Sequence, residues 1–134
     1  MGLVVMAEAE TAIKSLLETQ VNNLATTTSI WAILAPSDAA KPYLSYEVLT
    51  EQPHNVMGTE TAPTEVLFQV NIFTDTFLQT VNVTNDVRTA LTRFSGTTSS
   101  VVVQDIFYEN RNDNFDESDK DYQRTLDFRM WFEE

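Results

Sequence analysis

The first regular pattern of apolar residues in the chain predicts an amphipathic helix over residues 8–24. Apolar side chains recur there every three or four positions, and charged side chains lie between them. A threonine-rich run follows, and two prolines keep the next segment irregular. We therefore expect residues 30–40 to form a loop tied down by Trp31.

Alternating apolar residues predict two strands in the next part of the chain. Residues 43–50 are rich in aromatic and branched side chains and end at a turn-like stretch, as a strand does. Beyond Pro63 every second residue is apolar, which gives a second strand one strongly apolar face. The residues on that face are Val66, Phe68, Val70 and Ile72.

A second helix is predicted over residues 76–94. Asp75 can cap its start and Gly96 can stop it. Its apolar stripe predicts one face packed on the core. The stripe consists of Val83, Val87, Ala90, Leu91 and Phe94.

The C-terminal third predicts two further strands, residues 101–108 and 122–132, joined by a polar loop over residues 109–121. On the last strand, alternate residues are apolar, and Arg124 alone interrupts them. We expect these residues in the core, together with Phe107: Tyr122, Leu126, Phe128, Met130 and Phe132.

The order of these elements, α-β-β-α-β-β, predicts an α+β fold. We expect a four-stranded antiparallel sheet with two helices on one face. The 134 residues suit a single domain spanning 1–134.

The chain is strongly acidic, and this limits its partners. Twenty acidic side chains against eight basic ones give a net charge of -12, so the surface should repel phosphate backbones and anionic membranes. The absence of cysteine excludes disulfides and thiolate metal sites. The only N-terminal apolar stretch, residues 3–7, is far too short for a membrane span, which predicts a protein that is neither exported nor inserted in a membrane.

Motifs for catalysis or cofactor binding are missing from the sequence. There is no phosphate-binding glycine loop, HExxH or GxSxG. His54 is the only histidine and stands beside Pro53 with no nucleophile or acid arranged around it, so a surface position is favoured over a catalytic one. A sequon at Asn82 falls inside the second predicted helix and is interpreted as a chance match. We expect no enzymatic activity and no cofactor.

The polar run 110–121 has oxygen-bearing side chains at alternate positions, as calcium loops do. Its sixth position is Phe115 where the sharp turn needs glycine, and its twelfth is Asp121 where a bidentate glutamate is needed. A solvated acidic loop is therefore favoured over a calcium site, and no metal is expected.

Three segments together resemble a known family. They are residues 41–48 (KPYLSYEV), residues 68–73 (FQVNIF) followed by 86–91 (DVRTAL), and the closing residues 126–132 (LDFRMWF). In this order they are similar to the tail terminator, or tail completion, proteins of long-tailed bacteriophages and prophages. The resemblance extends over nearly the whole chain, from about Ala9 to Phe132.

The resemblance implies a structural role in the virion. A protein of this family is expected to form a hexameric ring on the head-proximal end of the tail tube after assembly in the host cytoplasm. The ring would stop the addition of tail tube protein and join the neck or head completion protein, while DNA passes through the lumen without specific binding. An acidic inner wall would favour that passage.

Several basic residues lie in the region of the last two strands of an otherwise acidic chain. If each subunit of a ring meets the next through different surfaces, a basic edge facing an acidic one is a natural complement. The candidate interface residues are Arg111, Asp113, Asp116, Arg124 and Arg129. The alternative is that Arg124 and Arg129 pair within the subunit, with Asp127 or Asp105.

Two other functions are consistent with the sequence. A head completion or neck protein also forms rings, but on the portal side, and the closing DFRMW motif favours the terminator. A small-ligand-binding or enzymatic α+β domain is the alternative from a different class, since a fold does not fix a function.

Overall fold

The computed structural model describes residues 8–21, 29–33, 41–53, 63–99, 101–116 and 121–133. Two α-helices and six strands are present in these ranges, and a short π-helix, Leu17–Val21, continues the first helix. In chain order the elements are α1 (Glu8–Leu16), β1 (Ser29–Ala32), β2 (Tyr43–Pro53), β3 (Pro63–Thr74), α2 (Phe77–Leu91), β4 (Gly96–Thr98), β5 (Val101–Asp116) and β6 (Asp121–Glu133).

The strands form one six-stranded mixed sheet in the order β1-β2-β3-β6-β5-β4, which curves into a half-barrel. The predicted four-stranded antiparallel sheet is therefore wrong, although the fold is α+β. The four predicted strands form the antiparallel centre of the sheet. One short strand is added at each edge, and β1 runs parallel to β2.

The two edge strands were missed because each is too short for a periodic pattern. β1 has four residues, and its Trp31, predicted to tie down a loop, is 37% exposed on this strand. β4 has three residues, and its Gly96 was interpreted as a helix stop. Residues 34–40 of the predicted loop lie outside the described residues, as do His54 and residues 22–24 of the first predicted helix.

The core lies between the two helices and one face of the sheet. Side chains of β3 alternate between buried and half-buried along the whole strand, as the sequence predicted. On β6 the predicted core residues Leu126, Phe128, Met130 and Phe132 are at most 1% exposed, whereas Tyr122, predicted with them, is only half-buried. The register of both central strands was therefore predicted correctly. From the helices, the core receives Ala9, Ala12, Ile13, Leu16, Leu17, Val83, Val87 and Leu91.

Strand β5 departs from simple alternation because two irregularities in its pairing with β6 interrupt the register. They lie between Val103 and Asp105 and between Tyr108 and Asn110. Each irregularity inserts one extra residue into β5, so the side chains beyond it point to the opposite face of the sheet from the one that simple alternation predicts. Phe107, predicted in the core, is consequently only half-buried, and it lies under the guanidinium of Arg93 at 4.8 Å.

The start of α2 is capped by Thr76 rather than by the predicted Asp75. The Thr76 hydroxyl accepts a hydrogen bond from the backbone N–H of Gln79 at 3.2 Å. The helix ends at Leu91, before the predicted end at Phe94, and Arg93 follows in the left-handed region with φ 62°. Neither described helix is long and apolar enough to cross a membrane.

The predicted polar loop of residues 109–121 is for the most part a two-stranded ribbon. β5 continues through Asp116, and β6 begins at Asp121 opposite it. The sequence hid this extension because Asn110 and the following residues to Phe115 are exposed, so no apolar alternation marks them as a strand. The extended backbone also differs from the folded loop that the calcium alternative requires.

Candidate assembly interface

The five predicted interface residues all lie on the neighbouring strands β5 and β6. Arg111, Asp113 and Asp116 are on β5, and Arg124 and Arg129 are on β6. Asp116 is the last residue of β5 and pairs in register with Asp121. The pairing of β5 with β6 places four of the candidates on one ribbon, whereas Arg129 lies nearer the sheet centre, opposite Phe107 and Leu67.

Arg124 is buried, with 4% of its surface exposed. Its Nε donates to Asp113 Oδ1 at 2.7 Å and its Nη2 to Asp113 Oδ2 at 3.1 Å, in a two-pronged pair across the ribbon. Nη1 donates to the hydroxyl of Thr84 on α2 at 3.3 Å. This arginine therefore joins the ribbon to the helix above it.

The pKa of Asp113 is lowered, because the hydrogen bond from Arg124 stabilises the ionised carboxylate. Half of the Asp113 side chain is exposed, so water screens much of this interaction. The sequence analysis gave an ion pair of Arg124 within the subunit as the alternative to an interface role. It named Asp127 or Asp105 as the partner, however, and not Asp113.

Arg129 is on the other face of the sheet and is one-third exposed. It forms an ion pair with Glu65 of β3, and its Nη2 donates to Glu109 of β5 at 3.0 Å. Asp105, one of its predicted partners, instead pairs with Arg93 at 2.9 Å. Arg129 thus links three adjacent strands.

Arg111 differs from the other two candidate arginines. It is exposed, and within the described part of the chain it forms no ion pair. Its register partner is the core residue Leu126, so its side chain leaves the sheet on the helix-bearing face. Of the three, Arg111 is the cation available to a partner.

An exposed aromatic cluster near the ribbon was missed by the sequence analysis. Phe115 packs on Tyr122 with ring centroids 4.8 Å apart, and Tyr122 meets Phe77 at 6.2 Å. Phe77 is 55% exposed, and the adjacent Leu78 is 69% exposed. The sequence did contain a signal for this cluster, because Phe77 and Leu78 are large apolar residues in the first turn of α2 that lie outside its apolar stripe.

The opposite edge of the sheet, formed by β1 and β2, is acidic. Glu10 of α1 and Glu47 of β2 line a concavity of about 240 Å³ together with Ile33, Tyr46 and Val48. Burial raises the pKa of the Tyr46 hydroxyl, and the nearby charges of Glu18 and Glu10 raise it further. Negative charge therefore gathers at this edge.

The sheet face that carries Ser45, Asn71 and Thr125 is polar. Thr125 donates to Asn71 Oδ1 at 2.7 Å, and Asn71 Nδ2 donates to Ser45 Oγ at 3.3 Å. These residues line a shallow concavity of about 420 Å³. Within the described ranges, no three His, Cys, Asp or Glu side chains come together as a metal site would require.

Comparisons with known proteins agree with the resemblance seen in the sequence. The fold is similar to that of a chain from the virion of a native gene transfer agent particle, with a TM-score of 0.69 and 18% identity over 92% of each chain. No curated protein matches the sequence. The model of the family described as tail completion protein gp17 matches residues 11–133. The chain therefore belongs to the tail completion protein gp17 family and is a structural protein of phage tail assembly.

Proposed function

We propose that this protein terminates the phage tail tube by forming a hexameric ring on its head-proximal end. The family match over residues 11–133 carries the proposal, because completing a tail requires that its tube stop growing. The ring would cover the last ring of tail tube protein and offer it no further docking surface. Its other side would receive the neck or head completion protein.

The two unlike edges of the sheet support a ring. Contacts between different surfaces of identical subunits close into a ring when the rotation between subunits closes. Here one edge carries the exposed Arg111, and the other carries Glu10 and Glu47. The opposite charges of these named side chains favour head-to-tail contact between the two edges.

The role of the remaining candidate residues follows from their contacts. Arg124 and Asp113 fix the ribbon to α2, and Arg129 fixes it to β3. We infer that these pairs hold Arg111 in place for the neighbouring subunit. Asp116 lies at the far end of the same ribbon and would be a peripheral contact.

The strong negative charge suits a ring through which DNA passes. With a net charge of -12, the protein would offer the phosphate backbone few attractive contacts that slow ejection. The function needs no cofactor and no catalytic group, because a docking surface that ends polymerisation acts by shape and charge alone.

Sedimentation with and without purified tail tubes tests this function. We expect the protein to co-sediment with tubes and electron microscopy to show it at one end. Tubes assembled without it should be longer than normal, and adding the protein back should restore their length. Binding along the whole tube, binding only to heads, or normal tube length without the protein would contradict the proposal. Binding only to heads would favour a neck protein.

A further inference from the structure

The outer edge of β5 is open over most of its length. β4 covers only residues 101–103 of β5, and the backbone N–H of Arg93 binds the carbonyl of Ile106. From Phe107 to Asp116, no described strand pairs with that edge. An exposed edge strand of this length is a place where another chain can pair, unless charged side chains restrict which chain.

Arg111 on this edge and Glu47 on the other lie at nearly the same height along the strands. Glu47 pairs in register with Gln69, Gln69 with Asp127, and Asp127 with Asn110, the residue before Arg111. A row across four strands thus runs from Glu47 to the residue beside Arg111. If the two ends of this row meet between neighbouring copies, one copy is not displaced along the strand direction relative to the next. A closed ring whose axis runs along the strands requires that there be no such displacement.

The concavity beside Glu47 fits an arginine side chain. Glu10 and Glu47 supply carboxylates for the guanidinium, and Tyr46 and Val48 supply apolar surface for its aliphatic stem. The concavity opens beside the end of β1, next to Ile33, which is 69% exposed. Its charge, size and position on the edge match a single exposed arginine.

Other described arginines are less suited to this concavity. Three of them are held in ion pairs within the chain: Arg93 with Asp105, Arg124 with Asp113 and Arg129 with Glu65. Arg88 lies on the ring of Tyr108, with its guanidinium carbon 4.4 Å from the ring centre. Arg111 alone among these five has neither an ion pair nor an aromatic ring beneath it in the described structure.

We propose that Arg111 of one copy enters the concavity of Glu10 and Glu47 on the next copy, so that the open β5 edge meets the β1–β2 edge of its neighbour. The proposal rests on the ring of the proposed function and names the contact that closes it. The partner at this surface is therefore a second copy of the same chain.

Cysteine cross-linking tests the contact directly, because the chain has no cysteine of its own. Asn112→Cys places a thiol one residue along β5 from Arg111, and Leu49→Cys places one two residues along β2 from Glu47, with both charged residues kept. Both sites are exposed. On rings assembled with tail tubes, oxidation of a mixture of the two variants should give a covalent dimer. Neither variant alone should give one, and neither should a mixture in which Asn82→Cys replaces Leu49→Cys.

Charge exchange supplies a second test. Arg111→Glu and Glu47→Arg should each abolish ring formation, and the double variant should restore it. Arg111→Glu combined with Asp86→Arg, which restores the same net charge elsewhere, should not. If the wild-type protein forms rings, but the cysteine variants give no cross-link and the double charge variant does not restore assembly, this contact is overturned and the proposed function is left intact. Protein that forms no ring on tubes under any condition would overturn both.

Discussion

Phe68 of β3 and Phe128 of β6 lie directly opposite one another in the centre of the sheet, and their rings stack with centroids 5.4 Å apart. Both side chains are fully buried, and Tyr108 of β5 packs on Phe128 from the other side. Three adjacent strands are therefore joined by one line of aromatic rings beneath the helices.

Phe128→Ala should lower the free energy of unfolding by about 3–5 kcal/mol, because it leaves a cavity in this line. Urea unfolding of the purified variant measures the loss, and poor soluble yield would be consistent with it. Phe115→Ala is the matched control, since that phenylalanine is 44% exposed and its removal should cost far less. Equal losses for the two variants would show that the central register is wrong.

The Arg124–Asp113 pair predicts an asymmetry between its two partners. Asp113→Ala leaves a buried guanidinium without its carboxylate, whereas Arg124→Met removes the buried charge itself. We expect the aspartate variant to lose about 1–3 kcal/mol and the arginine variant to lose less. A double-mutant cycle measures the coupling between the two, and a coupling of zero would show that the pair contributes nothing to stability.

The same pair predicts how stability depends on acid. The pKa of Asp113 in the folded protein lies below its ordinary value of 3.8, so the unfolded state takes up the proton first as pH falls. The contribution of the pair is therefore present above that value and is lost as the pH drops through the lowered pKa. Asp113→Asn should flatten the acid limb of the stability curve, measured by urea midpoints from neutral pH downward. An unchanged limb would mean that Arg124 does not act on this carboxylate.

Whether the sequence predicted a strand correctly depends on whether that strand has one buried face. β3 and β6 have one buried face, so Val66, Phe68, Phe128 and Phe132 revealed their register. The ribbon beyond Tyr108 has polar residues on both faces, and its strand form depends on cross-strand partners that periodicity does not show. The same limit applies to the candidate site, because the partners of Arg124 and Arg129 follow from the strand register, which the periodicity of the sequence does not show there.

Replacing Ile33 with a residue that tolerates its backbone conformation should stabilise the protein. Ile33 adopts φ 63°, a left-handed conformation that is costly for a β-branched residue, and its backbone N–H binds the carbonyl of Tyr46 at 2.7 Å. Ile33→Asn should raise the free energy of unfolding by about 1 kcal/mol, because asparagine tolerates this conformation better. Thermal and urea unfolding measure the change, with Leu49→Asn, another exposed apolar residue at this edge, as the control. A lower stability than wild type would show that the Ile33 side chain contributes more than its backbone strain costs.

Arg111→Glu should separate folding from assembly. The side chain is exposed and has no ion pair in the described structure, so the free energy of unfolding should change by less than about 0.5 kcal/mol. In assembly, the new carboxylate would face Glu10 and Glu47 of the next copy, and the repulsion should prevent the ring from closing. Tails assembled with this variant should then exceed their normal length, as seen by electron microscopy. High salt should partly reproduce the defect in the wild type, because it screens the attraction between the two edges.

Lys14→Glu is the control for that variant, because it changes the net charge equally from an exposed position on α1. If the effect depended on overall charge alone, both variants would give long tails. If it depends on the contact at Arg111, only Arg111→Glu will, and raising salt will not worsen its defect further. Normal tail length with the Arg111→Glu subunit would remove Arg111 from the interface, whereas the family assignment, which rests on residues 11–133 as a whole, would be unaffected.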